Sequence, residues 1–301
     1  MMRTLTATMI GLGMLGTPLS QAAEEGVLAP GATLEKRADG FEFTEGPTCD
    51  AEGNLFFTDQ PNDRILKWSA DGELSTFLQP AGRSNGMYFA ADGRLIACAD
   101  EKNELWAITP GGEATVLWKE YDGKRLNGPN DVWVHPNGGM YFTDPFYKRE
   151  WWEHDEMPQD GQHVYYLAPG ADRLVRVTDD LTQPNGIIGT RDGTTLYVAD
   201  IRGRKTWRYD IQDDGRLAGK TLVCEQGSDG MTVDDEGNLY LTGRGVLVFD
   251  PAGQQIEHIE VPERWTANVA FCGKDRQTLF ITASTGLYSI RTRTKAGSTA
   301  K

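Results

Sequence analysis

The sequence predicts an all-β fold, a six-bladed β-propeller with a metal site on its axis, closed by an N-terminal strand. Three observations lead there. An apolar run following a turn recurs as EGNLFFTD (52–59), DGRLIACAD (92–100), NGGMYFTD (137–144), DGTTLYVAD (192–200), EGNLYLTG (236–243) and RQTLFITA (276–283). One register residue from each run (Leu55, Leu95, Met140, Leu196, Leu239, Leu279) gives separations of 40, 45, 56, 43 and 40 residues. A period of this size, with several short strands per unit, is the mark of propeller blades. Finally, no stretch beyond the N-terminal segment places apolar residues at helical spacing.

Taken in order, residues 1–22 read as an export signal. Arg3 gives a positive start, residues 5–15 are mostly apolar, and Ser20-Gln21-Ala22 offers small residues for cleavage. The apolar run is too short to span a membrane. The expected mature chain is 23–301, a single domain, periplasmic or secreted. No Cys lies near the cleavage point, so a lipid anchor is not expected.

Within each repeat the register run is followed by further short strands rich in β-branched and aromatic residues. Repeat 1 continues with RILKWS and LSTFLQ, repeat 2 with ELWAIT and ATVLW, repeat 4 with TWRYDI and TLVCE, and repeat 5 with GVLVF and QQIEHIE. Repeat 6 stops after GLYSIR (286–291), one strand short. The segment ATLEKRA (32–38) has no blade of its own and is expected to supply that strand, closing the ring and covering an open edge. The 56-residue interval holds an insertion, DPFYKREWWEHDEMPQDGQ, before the strand HVYYL. Its aromatic residues suit either a substrate wall or a loop packed on the blade edge.

Counting back from each register residue exposes a second regularity. Glu45, Asn85, Asn130 and Asp229 lie 10 residues before theirs, and Asn185 and Asn268 lie 11 before. Entering the innermost strand of each blade, these six side chains form a ring of oxygens at one mouth of the axis. A hard cation takes six to eight such ligands. Glu45 and Asp229 are the two anionic members and balance one divalent ion. The ring has no His or Cys, which makes zinc or copper less natural than calcium.

Other features mainly exclude. The formal net charge of −14 disfavours nucleic acid or an anionic membrane as partner. Cys49, Cys98, Cys224 and Cys272 form no CxxC pair, and Cys49, Cys98 and Cys272 are expected as free thiols packed in or beside strands. His135, His154, His163 and His258 show no pairing pattern and are expected at the surface. HExxH is absent.

The pieces FTEGPTCDAEGNLFFTD, RLNGPNDVWVHPNGGMYFTDP, QPNGIIGTRDGTTLYVAD, SDGMTVDDEGNLYLT and ANVAFCGKDRQTLFITA resemble the gluconolactonase family, which includes regucalcin (senescence marker protein). The resemblance spans about residues 40–290. It implies a six-bladed propeller with one divalent metal in the axial channel, calcium first and zinc, magnesium or manganese as the other candidates. By position, Glu45 in EGP, Asn185 in PNG and Asp229 in SDGM match the metal ligands. Asn130 in PND matches a substrate-binding residue, and Asp229 also matches the proposed catalytic base. Where animal members carry Arg two residues before that Asn, this chain has Gly128, and Arg125 is the nearby substitute for substrate contact.

The implied activity is hydrolysis of a sugar lactone, a small-molecule substrate, by a monomer. The ion polarises the carbonyl and a carboxylate assists the attacking water. Because a ligating carboxylate is a poor base, either Asp229 acts through a free oxygen or the ion itself activates the water. Other activated esters or phosphoesters are alternative substrates. A different class of reading is a binding module whose ion is structural.

Overall fold

The computed structural model describes residues 26–297. The expected export signal lies outside the described residues. Six four-stranded antiparallel sheets form the blades. Counted outward from the axis, blade 1 comprises Thr44–Cys49, Leu55–Asp59, Arg64–Trp68 and Leu74–Leu78. Blade 2 comprises Ser84–Phe89, Leu95–Ala99, Glu104–Ile108 and Ala114–Trp118. Blade 3 comprises Val132–Val134, Met140–Asp144, His163–Leu167 and Val175–Thr178. Blade 4 comprises Pro184–Gly189, Thr195–Asp200, Lys205–Ile211 and Leu217–Cys224. Blade 5 comprises Met231–Val233, Leu239–Gly243, Gly245–Phe249 and Gln255–Ile259. Blade 6 comprises Thr266–Cys272, Thr278–Ala283, Gly286–Arg291 and, from the other end of the chain, Glu35–Asp39.

Each first strand packs against the first strand of the next blade, and that of blade 6 against that of blade 1. Every register residue opens, or stands second in, the second strand of its blade. Those strands lie between two packed blades, which is why runs such as LFFTD and MYFTD are buried continuously rather than alternately. Between blades 1 and 6 the filling is Phe41, Leu55, Phe57, Leu66, Phe280 and Leu287. The outermost strands, such as Leu74–Leu78, are largely exposed.

The closing strand is where the missing element of repeat 6 requires it. Glu35–Asp39 pairs antiparallel with Gly286–Arg291, Glu35 opposite Ser289 and Asp39 opposite Gly286. It starts three residues later than the expected segment. Arg37 Nε donates to Ser289 Oγ at 2.6 Å across the pairing. Deleting residues 26–39 removes this ladder and uncovers an edge. The melting temperature, followed by circular dichroism, should fall by at least about 10 °C, at about 2–4 °C per kcal/mol for a domain of this size. An unchanged melting temperature would contradict closure by this strand.

Two expectations are corrected. Cys49 and Cys272 are not free: they form a disulfide with a Cα–Cα distance of 5.4 Å. They end the first strands of blades 1 and 6, which are neighbours only because the ring closes, and 223 residues separate them in sequence. Cys98 and Cys224 are free and buried. His163 is not at the surface but buried at the start of its strand, beside Asp160 and Arg176. The small hairpin Glu120–Tyr121 and Lys124–Arg125 lies between blades 2 and 3.

Candidate active site

The ring residues are held by a device that the repeat supplies three times. In blades 1, 3 and 4 the second strand ends in Asp. Its carboxylate turns back to accept backbone N–H groups just before the ring residue of the same blade. Asp59 accepts from Glu42 at 3.0 Å and Phe43 at 3.2 Å. Asp144 accepts from Asn127 at 2.9 Å and Gly128 at 2.8 Å. Asp200 accepts from Thr182 at 2.8 Å and Gln183 at 2.9 Å. These bonds fix the entry to the first strand, and so the direction in which Glu45, Asn130 and Asn185 leave it. Burial pushes the Asp144 carboxyl up to about 7, with the two backbone N–H groups opposing the rise.

The Gly after the ring residue has a steric reason. Gly46 has φ +49°, and a Cβ there would collide with the Asn85 carbonyl of the next blade. At Gly230 a Cβ would collide with the Asn268 amide. At these two blades adjacent first strands converge too closely near the axis for a side chain, whereas blades 3 and 6 carry Asp131 and Val269 at the same place.

Glu45, Asn185 and Asp229 converge from blades 1, 4 and 5. Asn185 Nδ2 donates to Asp229 Oδ1 at 2.8 Å and to the Tyr147 hydroxyl at 2.9 Å. Asp229 Oδ2 accepts the Trp265 indole N–H at 2.6 Å. Glu45 Oε2 accepts the Gly46 N–H at 2.8 Å and Asn268 Nδ2 at 3.3 Å. Asp229 keeps part of its surface open to solvent, while Glu45 and Asn185 are buried. Burial holds the Glu45 carboxyl well above the usual range, and repulsion from Asp229 adds to the rise. Burial also raises Asp229, opposed by its bonds to Trp265 and Asn185.

A hard cation fits this donor set. With its N–H groups spent on Tyr147 and Asp229, Asn185 has its carbonyl oxygen left for a cation. Glu45 Oε1 likewise has no donor among the described residues, and the two carboxylates repel one another. Asn85 Oδ1, another ring oxygen, is buried with no hydrogen-bond partner among the described residues. Asn130 is buried at the same mouth, and its backbone carbonyl accepts the Gly86 N–H at 2.7 Å. Asn268 serves as a strut, donating to Glu45 and accepting the Val269 N–H at 2.8 Å. Arg125 does not join this group. It is exposed on its hairpin, with Nη1 3.3 Å from His154 Nδ1.

Several site residues lie outside the repeat pattern. Tyr147 comes from the insertion and meets the site through its hydroxyl, which accepts from Asn185. Trp265 precedes the first strand of blade 6 by one residue, and no motif marks it. Asp131 adjoins the ring residue Asn130, accepts the Val132 N–H at 3.0 Å, and is pushed up to about 7 by burial. The insertion is tied down by Asn127, whose side chain donates to the Gly161 carbonyl at 2.8 Å and accepts the Gln159 N–H at 3.0 Å.

Residues 43–285 match the family model described as SMP-30/Gluconolactonase/LRE-like region. A gluconolactonase from Zymomonas mobilis is 30% identical, covering 90% of this chain and 84% of its own. Lactonase drp35 from Staphylococcus aureus strain MW2 is 28% identical over 73% of this chain and 70% of its own. Among solved structures, a gluconolactonase from Xanthomonas campestris superposes with a TM-score of 0.82 at 31% identity, over 89% of this chain and 91% of that one. A calcium-binding regucalcin from Agrobacterium tumefaciens has a TM-score of 0.71 at 22% identity, covers 88% of this chain and 94% of that one, and shares the fold.

Proposed function

This chain belongs to the SMP-30/gluconolactonase/LRE-like family, and from that footing we propose that it hydrolyses a sugar lactone with one divalent cation, calcium first, held by Glu45, Asn185 and Asp229. The observation that carries the reading is the convergence of these three side chains from three blades, with oxygens of Glu45 and Asn185 left unbonded among the described residues. Bound there, such a cation supplies Lewis-acid polarisation of the lactone carbonyl.

The chain's own groups perform the remaining work. Asp229, held by Asn185 and Trp265 and partly open to solvent, takes the proton of a water that attacks the carbonyl carbon. The ring C–O bond then breaks, and Asp229 returns the proton to the departing ring oxygen, leaving a hydroxy acid. Burial raises the basicity of Asp229, the direction a general base needs, while a bound cation acts the other way. Asn130 offers amide donors and an acceptor to the substrate's hydroxyls, and Tyr147 and Trp265 wall the position. The direct test is turnover of a panel of neutral and acidic sugar lactones. Failure to accelerate any of them, with the protein folded and calcium present, would reject the activity.

Export belongs to the same proposal. The Cys49–Cys272 disulfide suits an oxidising compartment, in keeping with the N-terminal signal pattern. Protein from its native host should begin near Ala23. An intact Met1 would reject export by cleavage.

A further inference from the structure

The insertion brings a guanidinium group to the mouth of the site by a route the repeat does not supply. In blade 2 the place of the bracing aspartate is taken by Ala99, opposite Ser84. Asp100 follows one residue later, and its carboxylate turns to the insertion instead. Asp100 Oδ2 accepts Arg149 Nε at 2.8 Å and Gln60 Nε2 at 3.1 Å, and its backbone carbonyl accepts the Trp152 indole N–H at 2.6 Å. Gly128, which has φ +152°, leaves the space for this. A Cβ there would meet the Trp152 ring at 2.8 Å.

The Arg149 guanidinium is thereby fixed. It lies 5.5 Å from the Tyr147 ring centroid and 5.5 Å from that of Trp151. Arg83 lies over the same Trp151 ring at 4.6 Å. Tyr147 in turn touches Asn185.

Arg149 spends Nε alone on Asp100, and Nη1 and Nη2 make no hydrogen bond to the described residues. Arg83 uses Nη1 on the Pro61 carbonyl at 2.6 Å, and among the described residues no carboxylate lies within ion-pair distance of it. A rigid, planar pair of unspent donors beside a second guanidinium suits a carboxylate, which accepts two parallel hydrogen bonds.

We infer that Arg149, supported by Arg83, is a specificity-determining residue that binds a carboxylate carried by the substrate. The enzyme then favours monolactones of sugar diacids, which keep one free carboxylate, over neutral sugar lactones. This rests on the lactone-hydrolase reading above.

The test compares two lactones of the same ring, D-glucaro-1,4-lactone with a carboxylate and D-glucono-1,4-lactone without. The wild-type protein should show the higher kcat/KM on the first. Arg149→Gln should lower the ratio of the two kcat/KM values by at least about thirtyfold, chiefly through KM, the scale for losing hydrogen bonds to a charged group. Arg149→Lys, which keeps charge but not the fork, should fall between. An equal kcat/KM for the two lactones in the wild type, or a ratio within twofold of wild type in both variants, would overturn the inference. Circular dichroism reports folding, and Arg149→Lys with Arg83→Gln carries the comparison if the Gln variant misfolds. If the wild type turns over neither lactone, the activity has failed, and calorimetric titration with D-glucarate and D-gluconate decides the role of Arg149. A preference for the diacid that disappears in Arg149→Gln upholds it, and equal affinities in the wild type overturn it.

Discussion

Asp229→Asn is expected to lower kcat for lactone hydrolysis by at least about a hundredfold, the usual scale for losing acid–base assistance. The substitution keeps the shape of the side chain but removes the proton acceptor and one of the two negative charges. It also sets an amide N–H₂ against a donor, because the two carboxylate oxygens accept from Asn185 Nδ2 and Trp265 Nε1. The position is partly open to solvent at the mouth, so the fold should survive. Steady-state kinetics beside circular dichroism checks both points. A folded variant with near-normal turnover would show that Asp229 is not the base.

Glu45→Gln should weaken calcium binding by at least about a hundredfold, since it removes half of the charge that balances a divalent ion, and a lost charged contact amounts to about 3 kcal/mol. The calcium-free protein should respond in the opposite sense. Glu45 is a buried carboxylate raised by desolvation and by repulsion from Asp229. Removing that charge relieves a cost, so above pH 7 the variant in chelator should melt no lower than wild type. Calcium at a hundred times the wild-type Kd should raise the wild-type melting temperature by about 5–10 °C. The variant at the same calcium concentration should show almost none of that rise. A calcium-dependent rise equal in both proteins would remove Glu45 from the site.

What could be read in the sequence follows from what repeats. The six blades were legible because Leu55, Leu95 and their equivalents sit at one structural place, opening buried strands whose apolar runs cannot vary freely. The closing strand was legible by subtraction, since repeat 6 lacked a partner for Gly286–Arg291. Glu45, Asn185 and Asp229 were legible because constant spacing from the register residue places them at one mouth. The Cys49–Cys272 bridge was not, since their proximity exists only after the ring has closed. Tyr147 was legible only as one of several aromatics in the insertion, without its contact to Asn185, and Trp265 was not legible. They come from connecting segments without counterparts in other repeats, and only the contact with Asn185 or Asp229 marks them. Arg125 is placed differently from the three ring residues. Nearness in sequence to Gly128 suggested a substrate contact, whereas the hairpin carries its side chain out to His154. The space at Gly128 is filled from the insertion by Trp152.

The most direct test of the account is the rate of lactone hydrolysis by protein stripped with chelator and then titrated with calcium, using the best substrate from the panel. Stripping should lower the rate by at least about a hundredfold, in line with several kcal/mol of Lewis-acid stabilisation, and one equivalent of bound calcium should restore it. Full activity in the stripped protein, verified metal-free by elemental analysis, would contradict a catalytic ion held by Glu45, Asn185 and Asp229.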